Sequence, residues 1–158
     1  MDKLLQLLDE NATYTTKQLS AMLDMTEDDI KSAIAKYERE GVILAYKTII
    51  DWDKTDREFV NAIIEVKITP KHDFGFDKVA EKLSNYPEVR SLYLMSGVYD
   101  LAVIIEGRTI RDIAYFVTHK LSILEDVQSC STHFVLRTYK DKGITYGPAV
   151  KDERGNCL

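Results

Sequence analysis

Two helix-start signals lie close together near the beginning of this 158-residue chain, and they restrict what its first part can form. Thr15 is followed three residues later by Gln18, and Thr26 by Asp29, so each pair has the form of a capping box. Gly41 stands where the second of these helices needs a left-handed residue in order to end. The spacing therefore predicts a short helix, a tight turn and a longer helix.

An earlier helix and a later apolar segment extend this pattern. The leucine-rich run KLLQLLDE repeats apolar residues on one helical face until the polar stop at Asn11. Residues 42–50 are apolar and β-branched, which predicts the strands of a short hairpin or wing. We therefore predict a winged helix-turn-helix DNA-binding domain over residues 1–50, followed by a polar linker at residues 51–58.

The third predicted helix has one apolar and one polar face. Counting 100° per residue from Ile30 turns Ala33, Ile34 and Tyr37 toward the core. The acids of its first turn suit the positive end of the helix dipole. Ser32 and Lys36 face outward and are candidates for contacts with base edges, and the nearby cations for contacts with phosphates. The predicted DNA-binding residues are Lys17, Lys31, Ser32, Lys36, Arg39 and Lys47.

The overall charge allows two interpretations of this first domain. The net charge is −5 and the pI about 5.2, which is not the basic balance of a protein that binds nucleic acid by bulk charge. Residues 1–57 carry eight Lys and Arg residues against twelve Asp and Glu residues. Any contact with DNA must come from a local basic patch. The alternative is a metabolite sensor or corepressor that does not bind DNA and uses its winged domain for a protein partner.

The second half of the chain alternates strand and helix patterns in the order β-α-β-β-α-β. Strands are predicted at residues 59–68, 89–95, 101–106 and 127–137, and helices at residues 74–83 and between residues 109 and 121. This order is the ferredoxin-like arrangement, an antiparallel sheet with both helices on one face, so the fold class is α+β. The uncovered face predicts a homo-oligomer, at least a dimer.

Three stretches, taken together, resemble the Lrp/AsnC or feast/famine family of bacterial and archaeal transcription factors. They are EREGVI with Tyr46, YPEV leading to SGVYD at residues 96–100, and STHFVL beginning at Ser131. The resemblance implies a promoter-binding head joined to a ligand-sensing, dimerising domain at residues 59–140, with dimers often assembling into tetramers or octamers. It also implies a small effector, commonly an amino acid, bound between dimers. Carried over by position, the effector-binding candidates are Gly97, Tyr99 and Asp100, with Thr132 on the neighbouring last strand.

Some positions leave alternatives open. Ala33 stands where the family often has an arginine, and Cys130 where it often has a threonine. The bend at residues 96–100 also fits a plain hairpin turn in which Asp100 bonds local backbone. The tail at residues 141–158 is either disordered or an arm that packs on a neighbouring subunit.

No motif in the chain predicts catalysis. It has no glycine-rich phosphate loop, nucleophile elbow or two-histidine zinc motif. His72, His119 and His133 fall on three different predicted elements, and a loop histidine such as His72 is more often solvated than metal-bound. We therefore predict that the chain is not an enzyme and needs no cofactor or metal.

The chain is predicted to be cytoplasmic. Its acidic, amphipathic beginning does not have the form of a signal peptide. No apolar run approaches the ~20 residues that span a bilayer, so no membrane partner is predicted. Cys130 and Cys157 lie far apart in the sequence, which is typical of a reducing compartment.

Overall fold

The computed structural model describes residues 2–69 and 75–147, and the chain divides into two compact units, Met1–Ile50 and Asp51–Leu158. His72, Cys157 and most of the predicted tail lie outside the described residues. Among the described residues, no helix is both long enough and apolar enough to cross a membrane.

The first unit contains three helices, each started by a side-chain cap. They are α1 (Lys3–Glu10), α2 (Thr16–Leu23) and α3 (Glu27–Arg39). The Thr15 hydroxyl accepts a hydrogen bond from the Gln18 N–H, and the Gln18 side chain accepts one from the Thr15 N–H, so this capping box is complete. The Thr26 hydroxyl accepts from the Asp29 N–H at 3.1 Å. The three helices pack around Leu4, Leu8, Leu19 and Ile30.

Helix α3 ends as its sequence indicates, at a left-handed glycine. Gly41 has a φ of 69°, and its N–H donates to the Glu38 carbonyl at 3.2 Å. The Val42 N–H donates to the Tyr37 carbonyl at 2.8 Å. This pair of bonds is the Schellman arrangement, which satisfies carbonyls left free by the helix end.

The segment after α3 differs from the prediction, because residues 42–50 form no strand ladder. Ile43 packs on the helical core, whereas Leu44 is 89% exposed. No backbone N–H of residues 44–50 donates a hydrogen bond to another described residue. Strand propensity alone does not make a hairpin, since a strand also needs a backbone partner, and the described residues offer none.

The second unit has the predicted β-α-β-β-α-β order. Its sheet runs β2-β3-β1-β4 with antiparallel neighbours. The elements are β1 (Val60–Ile68), α4 (Gly75–Ser84), β2 (Val89–Leu94), β3 (Leu101–Gly107), α5 (Ile110–Phe116), a π-helical turn (Val117–Leu121) and β4 (Val127–Phe134). A 3₁₀ turn (Trp52–Lys54) precedes the sheet, and a small hairpin, β5 (Lys140–Asp141) and β6 (Ile144–Thr145), follows it.

The alternation of buried and exposed side chains along β1 shows which face of the sheet the helices cover. Ala62, Ile64 and Val66 are fully buried and pack with the apolar side chains of α4 and α5. Ile63 and Glu65 point to the other face, where Ile63 is 38% exposed. One face of the sheet therefore lies open in the single chain.

Two predicted boundaries shift for reasons of pairing. The last strand was expected to reach Arg137, but β4 ends at Phe134, which pairs with Ala62 near the start of β1. Beyond it the Val135 N–H still bonds the Asn61 carbonyl, one residue from the start of β1 at Val60. The first residues of the predicted tail are ordered in a regular element, because residues 140–145 form the β5–β6 hairpin.

Candidate DNA-binding and effector sites

Side-chain hydrogen bonds from α2 hold the turn that follows it and the start of α3. Asp24 ends α2 in the left-handed conformation, with a φ of 54°. The Ser20 hydroxyl donates to the Met25 carbonyl at 2.5 Å, and the Thr16 hydroxyl donates to the Glu27 carboxylate at 3.0 Å. The chain thus contains a helix-turn-helix whose second helix is held at its first turn.

The three acids at the start of α3 divide into different roles. Glu27 accepts from the Thr16 hydroxyl, and Asp29 accepts from the Thr26 hydroxyl at 2.7 Å. Asp28 pairs with Lys31 at 3.5 Å, and its side chain is 94% exposed. Glu27 and Asp29 therefore form hydrogen bonds at the start of the helix, whereas the Asp28 side chain extends into solvent on the outward face.

The outward face of α3 contains three of the predicted DNA-contacting residues. Ser32, Lys36 and Arg39 are exposed, as the periodicity predicts, while Ile30 is buried. Lys36 lies 4.0 Å from Glu40 in an exposed pair, which is weak enough for a phosphate to replace it. Within the described residues, no acidic side chain forms an ion pair with Lys17, Arg39 or Lys47, and all three are exposed.

Ala33 lies on the inward side of α3. It is half-buried and packs against the cluster of Leu4, Leu19 and Ile30. An alanine at this position therefore fills the helical core and does not remove a side chain from the outward face.

The segment that follows α3 is tied back to that helix. The Tyr46 hydroxyl donates to the Glu38 carboxylate at 3.1 Å. Burial, together with this hydrogen bond and the charge of Glu38, raises the pKa of Tyr46 above its ordinary value. The contact holds Lys47, the next residue, beside the helix that contains Lys36 and Arg39.

The bend at residues 96–100 is bonded to the end of β1. One carboxylate oxygen of Asp100, Oδ2, accepts from the Ile68 N–H at 2.7 Å, and the Asp100 N–H donates to the Val66 carbonyl. Through these bonds Asp100 stabilises the bend, which is the alternative role that its position in the sequence allows. Its other oxygen, Oδ1, has no hydrogen-bond partner among the described residues. The bend is otherwise open: a Cβ added at Gly97 would meet nothing within 4 Å, and Val98 is 86% exposed.

Thr132 lies away from this bend in the single chain, which corrects the expectation that it stands on a neighbouring strand. Strand β1 separates β4 from β3, and Thr132 pairs with Ile64, which pairs in turn with Val103. Thr132 is therefore two strands away from β3 and three residues along it from Asp100. At standard strand spacings this separation is more than ~10 Å.

A lysine that the sequence analysis did not select also supports the bend. The Lys67 Nζ donates to the Val98 carbonyl at 2.8 Å. Its only sequence signal is the strict alternation of β1, which puts Lys67 on the open face next to Glu65. On that face Glu65 lies 3.5 Å from His133. No group of three or more His, Cys, Asp or Glu residues in the described part of the chain could hold a metal ion.

A family model matches this sheet domain directly. The model of the Lrp/AsnC ligand binding domain matches residues 61–145. The uncharacterized HTH-type transcriptional regulator YugG of Bacillus subtilis is 44% identical over 153 residues, with 96% of this chain and 92% of YugG covered. The similarity therefore spans both the helical unit and the sheet unit.

Solved structures share the whole fold. A transcriptional regulator of Neisseria meningitidis, crystallised as a complex with L-methionine, superimposes with a TM-score of 0.71 at 23% identity, covering 89% of this chain and 93% of its own. Escherichia coli AsnC superimposes with a TM-score of 0.69 at 20% identity, covering 91% and 97%. At these identities the superpositions establish the fold alone.

Proposed function

This chain belongs to the Lrp/AsnC family of HTH-type transcriptional regulators, and on that premise we propose how its two units act: α3 binds promoter DNA and the sheet unit binds an amino acid. The observation that carries the DNA part is the outward face of α3, where Ser32, Lys36 and Arg39 stand exposed on a helix fixed by its turn.

We assign the contacts with DNA by side-chain chemistry. Ser32 and Lys36 lie near the middle of the outward face and would contact base edges in the major groove. The phosphate contacts fall to Lys17, Lys31, Arg39 and Lys47, which position the helix without reading sequence. The acidic remainder of the unit then limits non-specific binding, because it repels phosphates away from this patch.

The effector site would form between subunits at the bend. Asp100 Oδ1 is available for an ammonium group, and the open space at Gly97 lets a ligand approach the backbone. Tyr99 lies in the same loop. Because Thr132 is distant from the bend in its own chain, a Thr132 at this site would have to come from another subunit. The L-methionine complex of the Neisseria relative supports an amino acid as the ligand class.

A homodimer through the open face of the sheet is the assembly that this arrangement favours. Ile63 and Tyr93 are large apolar side chains left exposed there, at 38% and 52%. Dimers that meet at the bend would then build tetramers or larger rings. An effector can change promoter binding only if it binds one of these assemblies more tightly than another.

The first test is fluorescence anisotropy of the full chain on double-stranded DNA from upstream of its own gene, across a salt series, with and without single L-amino acids. We expect binding that weakens steeply with salt, because phosphate contacts release counterions, and that shifts with an amino acid. Absence of binding at low salt under both conditions would favour a sensor or corepressor that acts through a protein partner. Binding that no amino acid changes would remove the effector part alone.

A further inference from the structure

The first turn of α3 presents one carboxylate that the capping of the helix does not use. The carboxylates of Glu27 and Asp29 accept hydrogen bonds from the hydroxyls of Thr16 and Thr26. Asp28 stands between these two acids in the sequence, and its side chain is 94% exposed. The Asp28 carboxylate is therefore available to a partner outside the chain.

Asp28 lies in the middle of the outward face of α3. At 100° per residue, Ser32 lies about 40° and Arg39 about 20° to one side of Asp28, and Lys31 lies about 60° to the other side. Lys31, Ser32 and Arg39 are exposed. In a helix-turn-helix, the side chains near the start of the second helix reach the base edges. A docking of α3 that brings Ser32 to the bases therefore brings Asp28 to them as well.

A carboxylate close to DNA phosphates needs cations beside it, and α3 contains them. The only ion pair of Asp28 among the described residues is with Lys31, at 3.5 Å, and the Lys31 side chain is 59% exposed. Such an exposed pair is weak, so Lys31 can bind a phosphate while Asp28 binds a base. Arg39 adds a second cation on the same face. The repulsion between Asp28 and the phosphates is thus offset within the helix itself.

The chemistry of a carboxylate decides which base it can contact. An ionised carboxylate only accepts hydrogen bonds, and losing water without gaining a donor costs free energy. In the major groove guanine presents two acceptors, and thymine presents an acceptor and a methyl group. Adenine presents its amino group beside the N7 acceptor, whereas cytosine presents its amino group alone. Cytosine is therefore the base whose edge suits Asp28.

We propose that Asp28 determines sequence specificity by accepting a hydrogen bond from the amino group of a cytosine in each half-site. This inference rests on the proposed binding of α3 to DNA. Asp28 and Ser32 are ~6 Å apart along the helix axis, and base pairs are ~3.4 Å apart. The cytosine therefore lies within two base pairs of the pair that Ser32 contacts. Guanine and thymine are rejected at this position, because their acceptors repel the carboxylate.

The test is the selection of binding sites by the full chain from randomised double-stranded DNA, followed by sequencing. We expect cytosine at one position of the selected half-site. Asp28→Asn should change that position toward adenine, because an amide pairs with adenine N6 and N7, and Asp28→Ala should remove the preference there. Both variants should keep the preferences at the other positions. The control, Asp9→Asn, removes the same charge from an exposed position of α1 and should select the same sites as the unmodified chain.

A second measurement removes the donor from the DNA. N4-methylcytosine still pairs with guanine, but a methyl group replaces the amino hydrogen that faces the major groove. In anisotropy titrations, this base in place of the selected cytosine should weaken binding of the unmodified chain by about tenfold. It should weaken binding of Asp28→Ala by less than about twofold, because that variant has no carboxylate to lose its donor.

Identical selected sites for the unmodified chain, Asp28→Asn and Asp28→Ala would overturn the inference and leave DNA binding by α3 standing. Tighter binding of both variants to every sequence, with unchanged preferences, would do the same, since Asp28 would then only repel phosphates. Loss of preference at every position would assign Asp28 to the structure of the helix start and would also overturn the inference. Failure of the unmodified chain to enrich any sequence would overturn it together with the proposed contacts of α3 with base edges.

Discussion

Gly41 is the residue on which the end of α3 depends. Its φ of 69° lies in the region that a Cβ disfavours, and its N–H and that of Val42 bond the last carbonyls of the helix. We expect Gly41→Ala to lower the free energy of unfolding by about 1 kcal/mol. Urea unfolding checks this. Gly97→Ala is the control, because its φ is not left-handed and its Cβ would meet nothing within 4 Å, so an equal loss in both variants would contradict the prediction.

Glu88 and Lys120 make stability depend on pH. Burial acts to raise the pKa of Glu88, but the hydrogen bond from Lys120, the hydrogen bond from the Glu88 backbone N–H and the charge of Lys120 together outweigh it, and the net pKa lies below its ordinary value of 4.5. A carboxyl group whose pKa is lower in the folded state stabilises the fold above its unfolded pKa. That stabilisation is lost as the pH falls through the lowered value.

The variant Lys120→Met removes the ammonium group from Glu88, together with its cation–π contacts with the rings of Tyr86 and Phe116, and of these only the interaction with Glu88 depends on acid pH. Its free energy of unfolding should fall below that of the unmodified chain at neutral pH, and the difference should shrink as the pH drops below 4.5. Chemical unfolding at a series of pH values measures it. The control is Lys82→Met, on the exposed face of α4, which should show no such pH dependence. A difference in the free energy of unfolding between Lys120→Met and the unmodified chain that stays constant with pH would exclude the mechanism.

At the scale of the element, α3 combines a structural helix end with the face that we propose contacts DNA. Arg39 lies in its last turn, is exposed and has no acidic partner among the described residues. Arg39→Gln should weaken promoter binding and reduce the slope of log affinity against log salt by ~1, because one phosphate contact is lost. Anisotropy titrations measure both quantities. Lys82→Gln removes the same charge from the sheet unit and should leave the slope unchanged.

Residues 44–50 form a segment without backbone hydrogen-bond partners among the described residues of the single chain. The segment forms no strand, Leu44 is 89% exposed, and none of its N–H groups donates to another described residue. Because apolar, β-branched backbone of this kind readily pairs with another strand, we expect it to pair with a second copy of the chain. Hydrogen exchange should show these amides protected in the assembled protein. Amides that exchange as fast as those of an unfolded peptide would contradict this.

At the scale of the whole molecule, the proposed dimer depends on the open face of the sheet. Ile63 lies in the middle of that face, between Ile104 on β3 and His133 on β4. Ile63→Lys should convert the dimer to a monomer and reduce DNA affinity, because a monomer contacts only one half-site. Light scattering coupled to size-exclusion chromatography measures the mass. Ile123→Lys is the control, since Ile123 is 65% exposed outside the sheet.

The amino-acid sequence by itself determined the features that depend on neighbours in the chain. The caps at Thr15 and Thr26 and the stop at Gly41 were predictable because a helix end is satisfied by residues three or four positions away. The β-α-β-β-α-β order was predictable because each element has its own periodicity. The outward positions of Ser32, Lys36 and Arg39 follow from the same local geometry.

Only the tertiary structure decided the features that depend on distant partners. The order of the sheet puts β1 between β3 and β4, which separates Thr132 from Asp100, and Asp100 bonds the Ile68 N–H, thirty-two residues earlier in the chain. That residues 44–50 find no backbone partner among the described residues is likewise a property of what lies nearby in space. Hydrogen bonds and ion pairs act over a few ångströms, so a sequence predicts them only where chain neighbours are also the spatial neighbours.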